Sequence, residues 1–510
     1  MDTERNMLDA STNNEQDGES TPLLNDQKKN EPTNASKIYI IAAFVMAINF
    51  GAAVISKSFD QAVIALFCGK YYQANGRSPE PILGTVDQHD CTIPGVLTPA
   101  AEFSSMLVVL STIPSIITIL VAGHLSDIFG RKPVTLIWLL GLFIDVTMPF
   151  VVLHWNLNEY WLAVSKVVFG ITGGEAAGVS LMVAAIADLT GSKDRARFLA
   201  VIQGFGMLAV MVGSLLGGWL VKYTSSFEPT FFLGVLCNTF AGVTYILFVP
   251  ETRKPVRPSE TTEVSALSVS KLLRVLRPLP HKIMLAAVLS TAMRSSFFFV
   301  LPFYAAQEFG WKTWENTLYF VEMCLLAAVA NLLVLPNVEG WARQMWGSEQ
   351  PHNPEREVAP LLEDGSRIDD ELVVEDNPQR QQENVWRNAA IALNQVRIYA
   401  CVELVHIILF AISNKAWIVY TILPIDAVAS LGHVHARAII LDLVPRESYG
   451  IVNSIFNAVA IIGVTGLIKA SSAIYSATSE RLPNAVFIAF AGVSSFALML
   501  VFLARVTRRA

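Results

Sequence analysis

The sequence predicts an all-α integral membrane protein with twelve transmembrane helices in two six-helix halves. Three observations predict it: an apolar composition, twelve apolar stretches of membrane-crossing length, and basic residues concentrated in alternate connections. Of the 510 residues 53% are hydrophobic and only 16% charged, and the mean hydropathy is +0.46. That is too apolar for ordinary soluble domains, so the solvent of this chain is largely lipid.

Crossing a hydrocarbon core of ~30 Å takes about 20 mostly apolar residues per helix. Such stretches lie near residues 38–56, 102–122, 133–153, 160–187, 198–221 and 229–249. After a polar, basic connector at 254–282, a second set lies near 283–305, 316–336, 396–413, 416–436, 449–470 and 484–505. The expected organisation is a disordered polar tail (1–37), a first half (38–253), the connector, a second half (283–505) and a short terminus (506–510). No cleavable signal peptide is expected, because apolar character begins only at Ile38.

Basic side chains are retained on the cytoplasmic side of a membrane. With the amino terminus inside, 27 of the 37 Lys and Arg residues fall in cytoplasmic segments and seven in the opposite loops. The other three, Lys166, Arg294 and Lys469, lie within spans. Both termini are therefore expected in the cytoplasm, and the long 57–101 connection in the lumen or exterior. The formal charge of −6 hides a division: residues 1–36 carry eight acids and three bases and residues 337–385 twelve and four, leaving the membrane core at +7. No basic block stands free of the membrane-flanking loops, so nucleic acid is not an expected partner. The five cysteines form no CxxC or Cys/His cluster, so neither a metal site nor a cofactor is expected.

Between spans 2 and 3 stands Gly123-His124-Leu125-Ser126-Asp127-Ile128-Phe129-Gly130-Arg131-Lys132-Pro133. This resembles the GxLaDrxGrkxxl loop of the major facilitator superfamily. A tight turn there needs the glycines for backbone freedom, and Asp127 with the pair Arg131 and Lys132 can form a charge-assisted clasp. The resemblance implies that this clasp holds a cytoplasmic gate closed and is remade in each transport cycle; positive-inside anchoring alone accounts for the bases but not for Asp127 or the paired glycines. Span 4 contains Lys166-Val167-Val168-Phe169-Gly170, similar to the family's RxxxG element with Lys in place of Arg. Charge is kept and bidentate geometry lost. Gly213-Ser214-Leu215-Leu216-Gly217-Gly218 in span 5 is similar to the GPxxGG stretch of drug/proton antiporters, with Ser214 where Pro is expected. Gly213 and Gly217 also suit close helix packing by themselves. Span 6 ends in Pro250-Glu251-Thr252-Arg253, like the family's exit from its first half. The resemblance covers roughly 38–505 and is nearest to fungal twelve-span transporters, with distant similarity to proton-coupled folate transporters. It implies that spans 1, 4, 7 and 10 line a central cavity and that the halves rock around it.

An ionisable group at the bilayer centre costs at least ~2.5 kcal/mol, so each needs a partner, water or a function. Arg294, midway along span 7, and Asp426, midway along span 10, are the expected substrate or ion-coupling pair; a static lock between the two helices is the structural alternative. Lys166 and Glu175 are nine residues apart, which on one continuous helix places them on opposite faces. Lys166 is the expected cavity residue, and Glu175, in the run Gly173-Gly174-Glu175-Ala176-Ala177-Gly178, is expected to bond a neighbouring helix. Glu403 and His406 share a face of span 9 and could relay protons, but span 9 should be peripheral and an interhelical contact is preferred. Asp145 of span 3 is read as structural in the same way. Asn49 and Gln203 are candidate polar contacts for substrate. Phe297, Phe298, Phe299, Phe303 and Tyr304 crowd the outer half of span 7 and suit either a cavity wall or a lipid-facing belt.

The acidic insertion 337–385, between spans 8 and 9, cannot bury a core. It is read as a regulatory or trafficking loop, or as a tolerated insertion without a role. Glu19 with Leu23 and Leu24, and Glu357 with Leu361 and Leu362, match an acidic dileucine pattern that sorting adaptors read. The expected residence is an endomembrane or vacuole, or the plasma membrane. Cys68 and Cys91 share the first lumenal loop, and a disulfide is expected there. The glycosylation triplet Asn34-Ala35-Ser36 should go unused on the cytoplasmic side.

The function expected from these readings is secondary active transport of a small organic solute, coupled to protons, by alternating access. No GxxxxGK[ST] loop for ATP occurs in the chain. Efflux of a drug or secondary metabolite is the leading version and import of an organic anion or nutrient the second. A transporter-fold receptor or scaffold without flux is the rival class, and an enzyme is not expected. The partners are the bilayer, the solute, protons and sorting adaptors, and the chain is expected to be a monomer.

Overall fold

In the computed structural model, residues 35–76, 91–189, 195–249, 251, 281–330, 378–442 and 449–504 are described. The two dileucine patterns, the connector up to residue 280 and all of the acidic insertion up to residue 377 lie outside them.

The described residues are helical throughout, as the apolar stretches require when no water is present to satisfy the backbone. The first half comprises α1 (Ala35–Ala74), α2 (Pro94–Phe129), α3 (Arg131–His154), a broken span α4a (Tyr160–Ile171) and α4b (Gly174–Leu189), α5 (Arg195–Thr224) and α6 (Glu228–Phe248). The second comprises α7 (His281–Phe309), α8 (Thr313–Val329), α9 (Pro378–Ala411), a span in three pieces, α10a (Ala416–Thr421), α10b (Leu423–Ala429) and α10c (Leu431–Asp442), then α11 (Tyr449–Thr478) and α12 (Ala485–Leu503). Eleven of these spans are long and apolar enough to cross a membrane. The twelfth, α8, is described over only 17 residues.

Several boundaries differ from the sequence reading: α9 begins at Pro378, inside the stretch read as the acidic insertion 337–385, and α2 begins at Pro94 rather than near 102. The first helix runs to Ala74 rather than ending near residue 56. Lys57, Asp60 and Lys70 ended the apolar stretch, but a helix does not stop where polarity starts if its backbone bonds continue. Spans 4 and 10 are interrupted. Span 4 breaks at Gly173 (φ +114°) and Gly174 (φ +60°), conformations that glycine adopts without steric cost. Span 10 breaks at Ile422, just before Pro424, and again at Ser430.

Packing divides the molecule by height. One apolar core joins the halves, setting Leu97, Phe103 and Leu107 of α2 with Phe297, Phe303, Tyr475 and Phe487. Each half also has a core of its own: that of the first runs its length from Phe44 and Trp138 to Phe231, and that of the second is built around Ile283, Ile439 and Val501, away from the joined end. Among the described residues, the polar contacts between halves lie at the joined end. The Thr98 and Ser479 hydroxyls are 3.1 Å apart and Lys469 Nζ donates to Ser105 Oγ at 3.2 Å. Lys57 lies 4.7 Å from the Phe320 ring centre.

Cys68, on the extension of α1, is disulfide-bonded to Cys91 at this joined end, with Cα atoms 5.4 Å apart and a separation of 23 positions in sequence. Closing a loop of that length is worth about 3 kcal/mol through the unfolded chain. Cys68→Ser should therefore lower the thermal midpoint of the purified protein, and reducing agent should lower the wild type to the same value. Equal melting with and without the bond, by fluorescence-detected gel filtration after heating, would remove it from the stability of the fold.

Candidate functional site

The second half contains a network of ionisable side chains near its middle. The Arg294 guanidinium donates to both Asp426 oxygens, Nη1 to Oδ1 at 2.6 Å and Nη2 to Oδ2 at 2.7 Å. This bidentate geometry is the strong form of a charge-assisted bond. Asp426 stands on the seven-residue piece α10b, between the two breaks of span 10. The Arg294 side chain is 20% exposed and that of Asp426 6%, so the pair is open on its cationic side. The Phe298 ring lies against the guanidinium, 5.4 Å from its carbon.

Glu403 and His406 of α9 belong to the same network. His406 Nδ1 is 3.6 Å from Asp426 Oδ1, and Glu403 accepts a hydrogen bond from Ser290 Oγ of α7 at 3.0 Å. His433 of α10c brings Nε2 to 3.9 Å from Glu403 Oε1. The contacts of Glu403 with Ser290 of α7 and of His406 with Asp426 of α10b are interhelical, the kind preferred for them from the sequence, and they also set span 9 beside the Arg294–Asp426 pair.

The first half has a matching pair. Lys166 Nζ of α4a donates to Asp145 Oδ2 of α3 at 2.8 Å, which gives the partner of Lys166 that the sequence reading left unnamed. Glu175 does not bond a neighbouring helix among the described residues. It is exposed in the first turn of α4b, where a carboxylate is favourable beside the positive end of the helix dipole. The opposite-face argument for Lys166 and Glu175 also lapses, since no continuous helix joins them. Asn49 donates to its own Val45 carbonyl at 2.9 Å, and the Gln203 side chain lies outside the described residues. Lys57 and Asp60, 3.9 Å apart on α1, and Glu322 on α8 are further ionisable groups within the helices. Sequence reading missed them by ending span 1 too early and by passing over a single acid in an apolar run.

The aromatic crowd of α7 faces protein and not lipid. Phe297 packs 4.7 Å from Phe410 and 5.3 Å from Phe487, and Tyr304 4.7 Å from Phe487, ring centre to ring centre. Only Phe298 touches the ion pair.

At the loop between α2 and α3 the Gly123 and Asp127 side positions lie outside the described residues. What is described is a different carboxylate: Glu251 accepts from the backbone N–H of Arg131 at 2.8 Å and of Lys132 at 3.0 Å. It thus holds the free N–H groups at the start of α3. Arg131 Nη1 donates to Ser126 Oγ at 2.5 Å and Lys132 Nζ to the Ile246 carbonyl at 2.9 Å. The signal for Glu251 was in the Pro-Glu-Thr-Arg exit from span 6. Gly130 has φ +96°, and a Cβ there would lie 2.6 Å from Glu251 Oε2. Gly130→Ala should therefore cost about 1–2 kcal/mol in strain and loosen the Glu251 contact, slowing turnover several-fold while the protein still reaches the membrane. Wild-type turnover in that variant would separate the loop from gating.

The span 5 glycines pack where the sequence suggested. Cβ atoms at Gly213 and Gly217 would lie 2.6 and 2.1 Å from the Phe50 and Val54 carbonyl oxygens of α1. Gly218 turns to the other half, 2.3 Å from Thr317 Oγ1 of α8 by the same measure.

Twelve helical spans in two halves, each with an interrupted fourth span and an intramembrane ion pair, are the architecture of a secondary transporter. The sequence matches the Major Facilitator Superfamily over residues 38–345, and the chain belongs to that family, whose members are transporters and not enzymes. It is 24% identical over 365 residues to the MFS efflux pump atnC of Emericella nidulans, covering 66% of this chain and 71% of that protein. It is 28% identical over 155 residues to the class H tetracycline resistance protein of Pasteurella multocida, 30% of this chain and 36% of that one. The fold is similar to that of the human organic anion transporter MFSD10 (TETRAN), with a TM-score of 0.56 and 14% identity over 92% of this chain and all of that one. It is also similar to that of a D-xylose–proton symporter, with a TM-score of 0.54 and 13% identity over 91% and 97% of the two chains.

Proposed function

We propose that this protein is a proton-coupled transporter that exports a small organic solute, a drug or secondary metabolite in class, by alternating access. The observation that carries the reading is the pair of interruptions at equivalent places, span 4 of one half and span 10 of the other. Interrupted helices at corresponding positions of two repeats are where transporters of this design hold substrate and coupling ion. Each interruption has a cation–carboxylate pair nearby, Lys166 with Asp145 and Arg294 with Asp426. Export is supported by the similarity to an efflux pump and to tetracycline resistance proteins. The greater exposure of Arg294 than of Asp426 favours a solute with an acidic group, in either direction of movement. On the orientation expected from the basic residues, the joined end faces the lumen or exterior, so this packing is closed on that side.

The test is flux through full-length protein in sealed vesicles with an acidic interior, using tetracycline, fluorescein and citrate as probes. Uptake of at least one probe, collapsed by a protonophore, is expected. Protein-dependent uptake that ignores the protonophore would overturn proton coupling. Absence of flux for all three would favour a receptor or scaffold on the transporter fold.

A further inference from the structure

We propose that Glu403 is the proton-binding group of the second half, taking up and releasing its proton through a small cavity shared with Ser290 and His433. This rests on the proton-coupled reading above and names the group that would serve it.

Asp426 is the obvious acid, but both its oxygens are engaged by Arg294. A proton there would have to break two charge-assisted bonds. Glu403 is differently placed. It is 6% exposed, accepts one hydrogen bond from Ser290, and among the described residues has no Lys or Arg within ion-pair distance. A buried carboxylate balanced by no bonded cation is sensitive to any change in nearby charge or water.

The surroundings supply such changes. Glu403 lines a cavity of about 20 Å³ between α7, α9, α10 and α12, room for about one water. Ser290, His433 and Glu403 form its polar side, and Ala497 and Val501 of α12 part of its apolar side. Tyr399 of α9 lines the same cavity one turn from Glu403. Arg294 of α7 and Asp426 of α10b act on Glu403 through space, His433 of α10c is 3.9 Å away, and His406 lies one turn along α9. Tyr319 of α8 lies beyond, near Asp426. His435 turns aside, with Nδ1 3.0 Å from the Leu431 carbonyl oxygen and its ring against Tyr399.

The proton passes to Glu403 Oε1 from a hydronium at the cavity, which leaves water, or from doubly protonated His433 through Nε2, which leaves the neutral imidazole, and it returns by the same route. Only O–H and N–H bonds form and break. Ser290 is one helical turn from Arg294 on α7, as Glu403 is from His406 on α9, so occupancy of Glu403 and closure of the Arg294–Asp426 pair act on the same two helices. Opening the pair brings an unpaired guanidinium toward Glu403 and favours loss of its proton, whereas a proton on Glu403 removes a competing acceptor and leaves Arg294 to Asp426.

Infrared spectra of the full chain in phosphatidylcholine–phosphatidylglycerol vesicles, taken across a pH series without substrate, test this. The wild type should show a protonated-carboxyl carbonyl band that disappears as pH rises. The band should be absent from E403Q, moved in frequency in E403D and retained in D426N and D60N. S290A, which removes the one donor to the ionised form among the described residues, should shift the midpoint to higher pH while the protein stays folded. A wild type without the band, a band that persists in E403Q, or an unmoved midpoint in S290A would overturn the assignment. No pH gradient enters this measurement, so a titrating Glu403 in a protein whose flux ignores the protonophore would sink the coupling reading and leave the proton site standing.

Discussion

Arg294→Ala and Asp426→Asn are each expected to lower transport by more than about 100-fold, and Arg294→Ala should also lower the amount of protein reaching the membrane. The reason for the difference is burial. Removing one partner of a buried pair leaves the other charge unpaired, at a cost of about 3–5 kcal/mol. The Asp426 side chain is only 6% exposed, so Arg294→Ala strands a carboxylate with no water to replace the guanidinium. Asp426→Asn is milder for assembly, because Arg294 is 20% exposed and the amide oxygen still accepts one of its bonds. The double variant Arg294→Gln, Asp426→Asn removes both charges and keeps hydrogen-bonding groups. It should recover membrane levels without recovering flux. Quantified membrane protein and initial rates, measured together, decide the matter: full transport by the double variant would take both residues out of the mechanism.

Gly217→Val is expected to prevent assembly of the first half. A Cβ at Gly217 would lie 2.1 Å from the Val54 carbonyl oxygen and one at Gly213 2.6 Å from that of Phe50, one turn away. Both obstacles are backbone, so no rotamer change relieves them. Separating α1 from α5 loses the close packing on which helix association in lipid depends. Overpacking into side chains costs about 1–3 kcal/mol, and a main-chain contact belongs at the upper end. The monodisperse peak in gel filtration should disappear for Gly217→Val and shrink for Gly217→Ala. Gly242→Ala is the control, since nothing described lies within 4 Å of a Cβ there. A normal peak for Gly217→Val would show that α1 and α5 do not need this approach.

Much of the architecture was legible because lipid imposes simple rules. A stretch of apolar residues long enough to cross must be helical, and the count of twelve followed. The glycine runs were legible as packing faces because close approach of helices in lipid needs small residues. Boundaries were less legible, as α1 shows: hydropathy marks where a helix leaves the apolar layer, and the helix itself continues to Ala74. The breaks in spans 4 and 10 had signals in Gly173-Gly174 and in Pro424. The glycine pair was read as part of a packed run and the proline was passed over, and the effect of the glycines on backbone direction appeared only with the dihedral angles.

The candidate site divides in the same way. Arg294 and Asp426 stood out from the sequence because a charge amid apolar residues is expensive wherever the helix lies. Their bidentate contact, the approach of His406 to within 3.6 Å of Asp426 and the enclosure of Glu403 beside His433 depend on which faces α7, α9 and α10 turn to one another. At the α3 entrance, Asp127 was the carboxylate that sequence proximity favoured, while Glu251, 120 residues from Arg131 in sequence, is the one described against that helix start. The sequence by itself determined that the chain is helical, membrane-embedded and built in two halves, because those properties follow from the transfer energy of each segment taken alone. Tertiary structure decided which charges are partners, because an ion pair is a matter of a few ångströms between helices and transfer energies contain no term for which neighbour is near.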